Sequence, residues 1–331
     1  MSYPHIRMRR LRAKAFTRKL VQEHRLAVAD LICPLFVIPG KKQKIAVSSM
    51  PGVYRFSIDA LLYEIEALVR LGIPAAVLFP VIPPECKSPD GHAAVQSDGL
   101  VPQAVAAIKQ RFPEFGVITD VALDPYTDHG QDGLLNAAGY VRNDQTIQLL
   151  AQQALVHVAA GADMVAPSDM MDGRIGMIRS ALEQHGYTET PILAYTAKYA
   201  SAFYGPFRDA VGSRQALGKA DKLSYQMHPS QTNEALHEAE LDIAEGADIL
   251  LVKPGLPYLD VLYRIKTQFA KPVAVYQVSG EYAMLQAAAQ NQWLELEPCM
   301  IESLLAFKRA GADVILTYFA KQAAQWLVST T

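Results

Sequence analysis

Two lysines in this 331-residue chain stand where amine chemistry is feasible. Lys253 closes the run Ile249-Leu250-Leu251-Val252-Lys253 and is followed at once by Pro254-Gly255. A run that apolar and that short reads as a strand buried on both faces, of the kind found in parallel sheets. Pro-Gly ends it, so the lysine sits at the strand's carboxyl end. An amine held there in apolar surroundings loses hydration of its charged form. Its pKa falls and the neutral amine becomes a nucleophile. The plain alternative is a lysine that snorkels from a strand end to solvent. Lys198 repeats the arrangement at the end of Ile192–Tyr195 and its extension Thr196-Ala197-Lys198. If the two strands are neighbours, the ammonium groups repel and each disfavours protonation of the other. Paired amines of that kind suit carbonyl substrates, through Schiff bases.

A third cluster lies between them and the amino terminus. Asp120, Asp124, Asp128, His129 and Asp132 crowd the stretch from Asp120 to Gly133, at and beyond the end of Val117–Val121. Such carboxylates either coordinate a hard cation or cap turns on a surface. Arg208 closes the aromatic-rich segment that follows Lys198.

A recurring unit must position these groups. Gly161-Ala162-Asp163, Gly246-Ala247-Asp248 and Gly311-Ala312-Asp313 each end a helical stretch and open an apolar run, and Gly72-Ile73-Pro74 is a looser copy. Helix, glycine turn and buried strand in repetition imply right-handed βα units on a parallel sheet. The strand candidates are Pro34–Ile38, Ala75–Phe79, Val117–Val121, Met164–Ala166, Ile192–Tyr195, Ile249–Val252, Val273–Tyr276 and Val314–Leu316. Eight of them alternating with helices predict an α/β fold, a (β/α)8 barrel, whose carboxyl rim is where chemistry is done. A doubly wound open sheet is the competing fold, but no Gly-rich dinucleotide loop follows any strand. The spacing predicts helices over 57–71, 101–112 and 144–160.

Half the residues are hydrophobic, enough for one large core, and the net charge of −2 points to neither nucleic acid nor membrane. Cys33, Cys86 and Cys299 are too sparse for a disulfide framework or a thiolate zinc site. No apolar run approaches the ~20 residues of a membrane span, and a reducing cytoplasm is expected. Residues 1–25 are the outlier: Arg7, Arg9, Arg10, Arg12, Lys14, Arg18, Lys19 and Arg25 face only Glu23. A transit peptide, a nucleic-acid arm, a loose tail and an arm packed on another subunit all compete, and the last is favoured. The expected division is an arm over 1–30 and one catalytic barrel over 31–331.

At this point the chain resembles the porphobilinogen synthase (5-aminolevulinate dehydratase) family, nearly end to end. The resemblance rests on Met50-Pro51-Gly52-Val53, Ala166-Pro167-Ser168 with Met171-Asp172-Gly173, Lys198 through Arg208, and Ser224-Tyr225-Gln226-Met227. It extends to Leu251-Val252-Lys253-Pro254, Tyr276 through Tyr282, and Lys308 through Asp313. It implies condensation of two 5-aminolevulinate molecules to porphobilinogen with loss of two waters, early in tetrapyrrole and heme synthesis. By resemblance, Lys253 and Lys198 form imines with the substrates supplying the propionate and acetate sides of the product. Arg208 and Lys222 match a clamp for one substrate carboxylate, under a lid spanning 209–223. Ser279 and Tyr318 match donors to the other, and Gln226 and Tyr276 line the site.

One departure is informative. Zinc-using members carry three cysteines where this chain has Ala122, Asp124 and Asp132. Thiolates select zinc and carboxylates favour Mg²⁺ or a monovalent cation. The resemblance is thus to a zinc-independent, aspartate-rich branch, with no catalytic zinc and no organic cofactor. Glu238 falls where family members bind an activating, allosteric Mg²⁺, although acids on a helix are commonly just a solvated face. The resemblance also implies a homo-octamer wrapped by its arms. A class I aldolase, a non-enzymatic binding protein and a nucleic-acid protein are the competing readings. None of them calls for both strand-end lysines with the Arg208–Lys222 pair.

Overall fold

The computed structural model describes residues 2–212 and 221–330. Its ten strands are β1 (Leu31–Ile38), β2 (Lys44–Ala46), β3 (Tyr54–Ser57), β4 (Ala75–Pro80), β5 (Gly116–Val121), β6 (Met164–Pro167), β7 (Leu193–Lys198), β8 (Ile249–Lys253), β9 (Val273–Gln277) and β10 (Val314–Thr317). Eight run parallel in the order β6-β5-β4-β1-β10-β9-β8-β7. A bridge between Val165 and Ile192 joins the two ends and closes the cylinder. The predicted barrel is therefore the observed one, and each of its strands coincides with a sequence candidate to within a few residues. The helices expected from the spacing run Ile58–Arg70, Leu100–Arg111 and Asn143–Ala159.

The Gly-Ala-Asp repeat has a physical explanation at the amino-terminal rim. Gly161, Gly246 and Gly311 have φ of +105°, +104° and +104°. Each thus ends its helix in the left-handed region open to glycine. The aspartate that follows pairs with the strand next door at both backbone and side chain. Val117 N–H donates to Asp163 Oδ2 at 2.8 Å, and Asp163 N–H returns a bond to the Val117 carbonyl at 2.9 Å. Asp248 binds Ile192 in the same way (2.8 and 3.1 Å), and Asp313 binds Val273 (2.7 and 2.8 Å). These three acids tie neighbouring strands together at the rim opposite the strand-end lysines.

A short hairpin, β2 with β3, was not anticipated from the sequence. β3 pairs in parallel with the end of β1, Phe36 opposite Arg55. Its function is visible in what it grips. Arg55 donates to the carbonyls of Ala210 and Asp209 at 2.5 and 2.7 Å, and Ser49 Oγ donates to Asp209 Oδ2 at 2.6 Å. The motif Met50-Pro51-Gly52-Val53 thus sits in a segment that anchors the end of the helix Gly205–Ala210, which carries Arg208.

Candidate active site

β7 and β8 end together. Lys198 and Lys253 are their last residues and lie directly opposite each other in the register. Side chains opposite one another on neighbouring strands share a face, so both amines enter the mouth of the barrel. They are 6% and 7% exposed, which rules out the snorkelling alternative.

Lys253 Nζ is surrounded by four aromatic rings, with centroid distances of 4.8 Å to Tyr276, 5.2 Å to Tyr195 and Tyr204, and 5.4 Å to Phe207. Ring faces favour a cation, but no carboxylate reaches this nitrogen within ion-pair distance among the described residues. Burial, and then the charge of Lys198, push its pKa down to about 7. A substantial neutral fraction therefore exists at neutral pH. Lys198 differs in its surroundings. It donates to the Ser168 carbonyl, and Asp132 Oδ2 lies 3.6 Å from its Nζ.

The acidic stretch resolves into separate parts. Asp120 belongs to β5 and not to the loop, and its side chain is buried at the barrel mouth. Burial and the neighbouring Asp124 raise its pKa to about 7, despite a hydrogen bond from Ser168 and the two lysines. Its Oδ1 has no partner among the described residues. Asp124 and Asp132 are not surface turn-formers either. Both bind Lys222 Nζ at 2.9 Å, and Gln226 Nε2 donates to Asp132 Oδ2 at 3.4 Å. Asp132 is fully buried, yet its pKa is low because the Lys198 and Lys222 charges outweigh burial. Asp124 is shifted upward, by burial and by Asp132. The sequence left a metal ion or a surface turn as the options; burial excludes the surface turn, and both acids pair with the Lys222 ammonium.

Arg208, Lys222, Gln226, Asp124, Lys198 and Lys253 line one cleft, with Tyr204 and Phe207. Its interior is only about 40 Å³, room for little more than a water. Tyr276 and Tyr318 meet hydroxyl to hydroxyl at 2.8 Å. Ser279 opens the helix Ser279–Gln290, where its Oγ accepts from Phe207 N–H at 2.9 Å. All the expected substrate contacts are therefore at the same end of the barrel. Of the expected lid, residues 213–220 lie outside the described residues.

Glu238 lies elsewhere. It is half-buried on the helix Asn233–Ala244, in a cleft of about 520 Å³ that also holds Arg142, Asn143, Asp144, Asp172 and Glu234. Burial raises its pKa to about 7 against the pull of Arg174. No group of three or more His, Cys, Asp or Glu side chains able to hold a metal occurs among the described residues. The carboxylates in this cleft, Asp144, Asp172, Glu234 and Glu238, are ligands of the type a hard, water-retaining cation takes.

Ser168 and Tyr195 are site residues to which sequence reasoning gave no role, and Asp120, grouped there with the acidic loop, belongs to the strand before it. The detectable signal was a charged residue inside an otherwise apolar strand, Ile118-Thr119-Asp120-Val121, where burial of a carboxylate needs a reason.

Fold and site together define a (β/α)8 barrel enzyme with paired, buried amines at its carboxyl rim. Residues 5–326 match the family model described as delta-aminolevulinic acid dehydratase. The chain is 54% identical over 322 residues to the delta-aminolevulinic acid dehydratase of Bradyrhizobium diazoefficiens, covering 97% of this chain and 91% of that one. It is 47% identical to that of Bacillus subtilis, covering 99% of each. The crystal structure of the Toxoplasma gondii ME49 enzyme in complex with its reaction product porphobilinogen superposes with a TM-score of 0.96 at 48% identity, covering 98% of this chain and 92% of that chain. The chain belongs to the delta-aminolevulinic acid dehydratase (porphobilinogen synthase) family and is a hydro-lyase of that family.

Proposed function

We propose that this chain condenses two molecules of 5-aminolevulinate to porphobilinogen through imines on both Lys198 and Lys253. The observation that carries the mechanism is the register pairing of the two lysines at the ends of β7 and β8. Neutral Lys253 attacks the substrate ketone, and loss of water with uptake of one proton leaves an iminium. That iminium withdraws electrons and acidifies the adjacent carbon. Lys198 activates the second substrate likewise, and holding both molecules removes the entropic cost of a bimolecular step. Arg208 and Lys222 receive one substrate carboxylate, for which a planar guanidinium is well shaped. Lys222 must then exchange Asp124 and Asp132 for the substrate, which also opens the narrow cleft. Ser279 and Tyr318 take the other carboxylate, beside Gln226 and Tyr276.

The pH profile follows from Lys253. Its nucleophilic form is the deprotonated one, so kcat/KM is expected to fall about tenfold per unit below about pH 7 and to level off above it. A profile that stays flat to pH 5.5 would remove Lys253 as the attacking amine.

Catalysis without zinc is supported by the donor set. Ala122 offers no ligand atom, and Asp124 and Asp132 are engaged by an ammonium. The same ion pairs make a monovalent cation at these two acids unnecessary in this conformation. Mg²⁺ would be held by Glu238 with waters and would supply charge for assembly, remote from the reacting atoms. The arm over residues 1–30 exposes Tyr3, Ile6, Met8, Leu11, Phe16 and Leu20, an apolar surface that packing on a second copy would cover. The assembly proposed is a homo-octamer acting in the cytoplasm. Among the described residues, no helix is long and apolar enough to cross a membrane.

Porphobilinogen should form from 5-aminolevulinate alone. A zinc-selective chelator should leave turnover intact. EDTA should lower it, most at low protein concentration, and reduce the sedimentation coefficient, with Mg²⁺ restoring both. Glu238→Ala should reproduce the EDTA state. A requirement for stoichiometric zinc would contradict this reading.

A further inference from the structure

The first turn of the helix Ser279–Gln290 touches both halves of the site. Ser279 and Gly280 contact the segment after β7. Ser279 Oγ binds Phe207 N–H, and a side chain at Gly280 would place its Cβ 2.4 Å from the Phe203 carbonyl oxygen. Glu281 reaches the other way. Oε2 accepts from Val278 N–H at 2.7 Å and Gly255 N–H at 3.0 Å, and Oε1 accepts from Leu256 N–H at 2.6 Å. The Val278 bond alone would make an ordinary capping interaction at a helix start. The other two cross to the turn immediately after Lys253, which a cap does not need.

That turn is held tightly. Gly255 has no room for a side chain, since its Cβ would meet Phe307 at 2.6 Å and Glu281 Oε1 at 3.2 Å. On the opposite side, the Lys253 carbonyl accepts from Tyr199 N–H at 3.0 Å and from Tyr204 Oη at 3.4 Å. The backbone at Lys253 is therefore fixed by the segment just after β7 on one flank and, two residues on, by Glu281 on the other. Glu281 is fully buried, and all three of its hydrogen-bond partners here are backbone N–H groups. A buried carboxylate is retained against its desolvation cost only where those bonds are made.

We infer that Glu281 is a positioning residue for Lys253. It ties the turn after β8 to the helix after β9 and so fixes the direction in which the amine leaves its strand. The inference rests on the reading of Lys253 as an imine-forming residue, and it would act with no contact between Glu281 and substrate.

Borohydride trapping of labelled 5-aminolevulinate, followed by peptide mapping, separates this role from a structural one. Wild type is measured first; if it carries no label on Lys253, the imine reading itself fails and the inference falls with it. In Glu281→Gln, one acceptor oxygen is replaced by an amide that faces N–H donors. Trapping at Lys253 and kcat should then drop on the order of 10- to 100-fold, the penalty of misplacing a reacting group, while Lys198 remains labelled. Glu281→Asp retains a carboxyl cap but is one methylene too short to bridge, so it should show the same selective loss in a folded protein. Normal Lys253 labelling in the Asp variant would overturn the inference. So would a loss of both labels in step with a lowered melting temperature.

Discussion

Lys253→Met is expected to abolish turnover, on the order of 10⁵-fold, because it removes the covalent tether that replaces a bimolecular encounter. The loss should not come from misfolding, and the sign of the stability change shows why. In the folded protein the pKa of Lys253 lies near 7, against an ordinary value of 10.5. The unfolded chain therefore binds more protons between those values, and the buried charge weakens the fold at lower pH. Methionine has a similar length and no charge to desolvate. The variant should melt above wild type at pH 6, and the gap should close by about pH 10. An inactive Lys253→Met that melts lower at pH 6 would mean that the amine is a structural cation, stabilised by its four rings.

Asp132→Asn should have the second largest effect. Asp132 is fully buried, 2.9 Å from Lys222 Nζ and 3.6 Å from Lys198 Nζ. The amide leaves both ammonium groups buried beside a weaker partner, which costs about 3 kcal/mol. Turnover should fall by roughly 10²-fold, the usual effect of removing one preorganised electrostatic group. The pH dependence identifies the cause. The folded pKa is about 2, below the ordinary 3.8, so the ionised form stabilises the fold above pH 3.8. That contribution is lost as the carboxylate protonates toward pH 2. The difference in unfolding free energy between wild type and variant should hold at neutral pH and close across that interval. A difference independent of pH down to 2 would exclude the charge as its source.

What could be read before the structure was known depended on how locally it is encoded. The barrel was legible because each strand is a short apolar run introduced by a helix end and a glycine. The two strand-end lysines were legible for the same reason, each being the last residue of such a run. The β2–β3 hairpin was not, because its first strand, Lys44–Ala46, is short and exposed and has no alternating buried face. The partner of Asp124 and Asp132 was hidden by distance, since Lys222 lies 98 and 90 residues away. Composition suggested a metal ion or a turn, and no local pattern pointed to the ammonium that pairs with both acids. Asp163, Asp248 and Asp313 have residue types as chemically suggestive as those of Asp124 and Asp132. Their position at strand starts gives them register bonds at the opposite rim. Asp120 lies at a strand's carboxyl-terminal end and joins the site.

The central claim is that both strand-end amines carry substrate. Reduction of the enzyme with borohydride during turnover of labelled 5-aminolevulinate, followed by mass mapping of every lysine, measures it directly. Label on Lys198 and on Lys253 is the expected result. Label confined to other lysines, or none at all in an enzyme that still forms product, would contradict it.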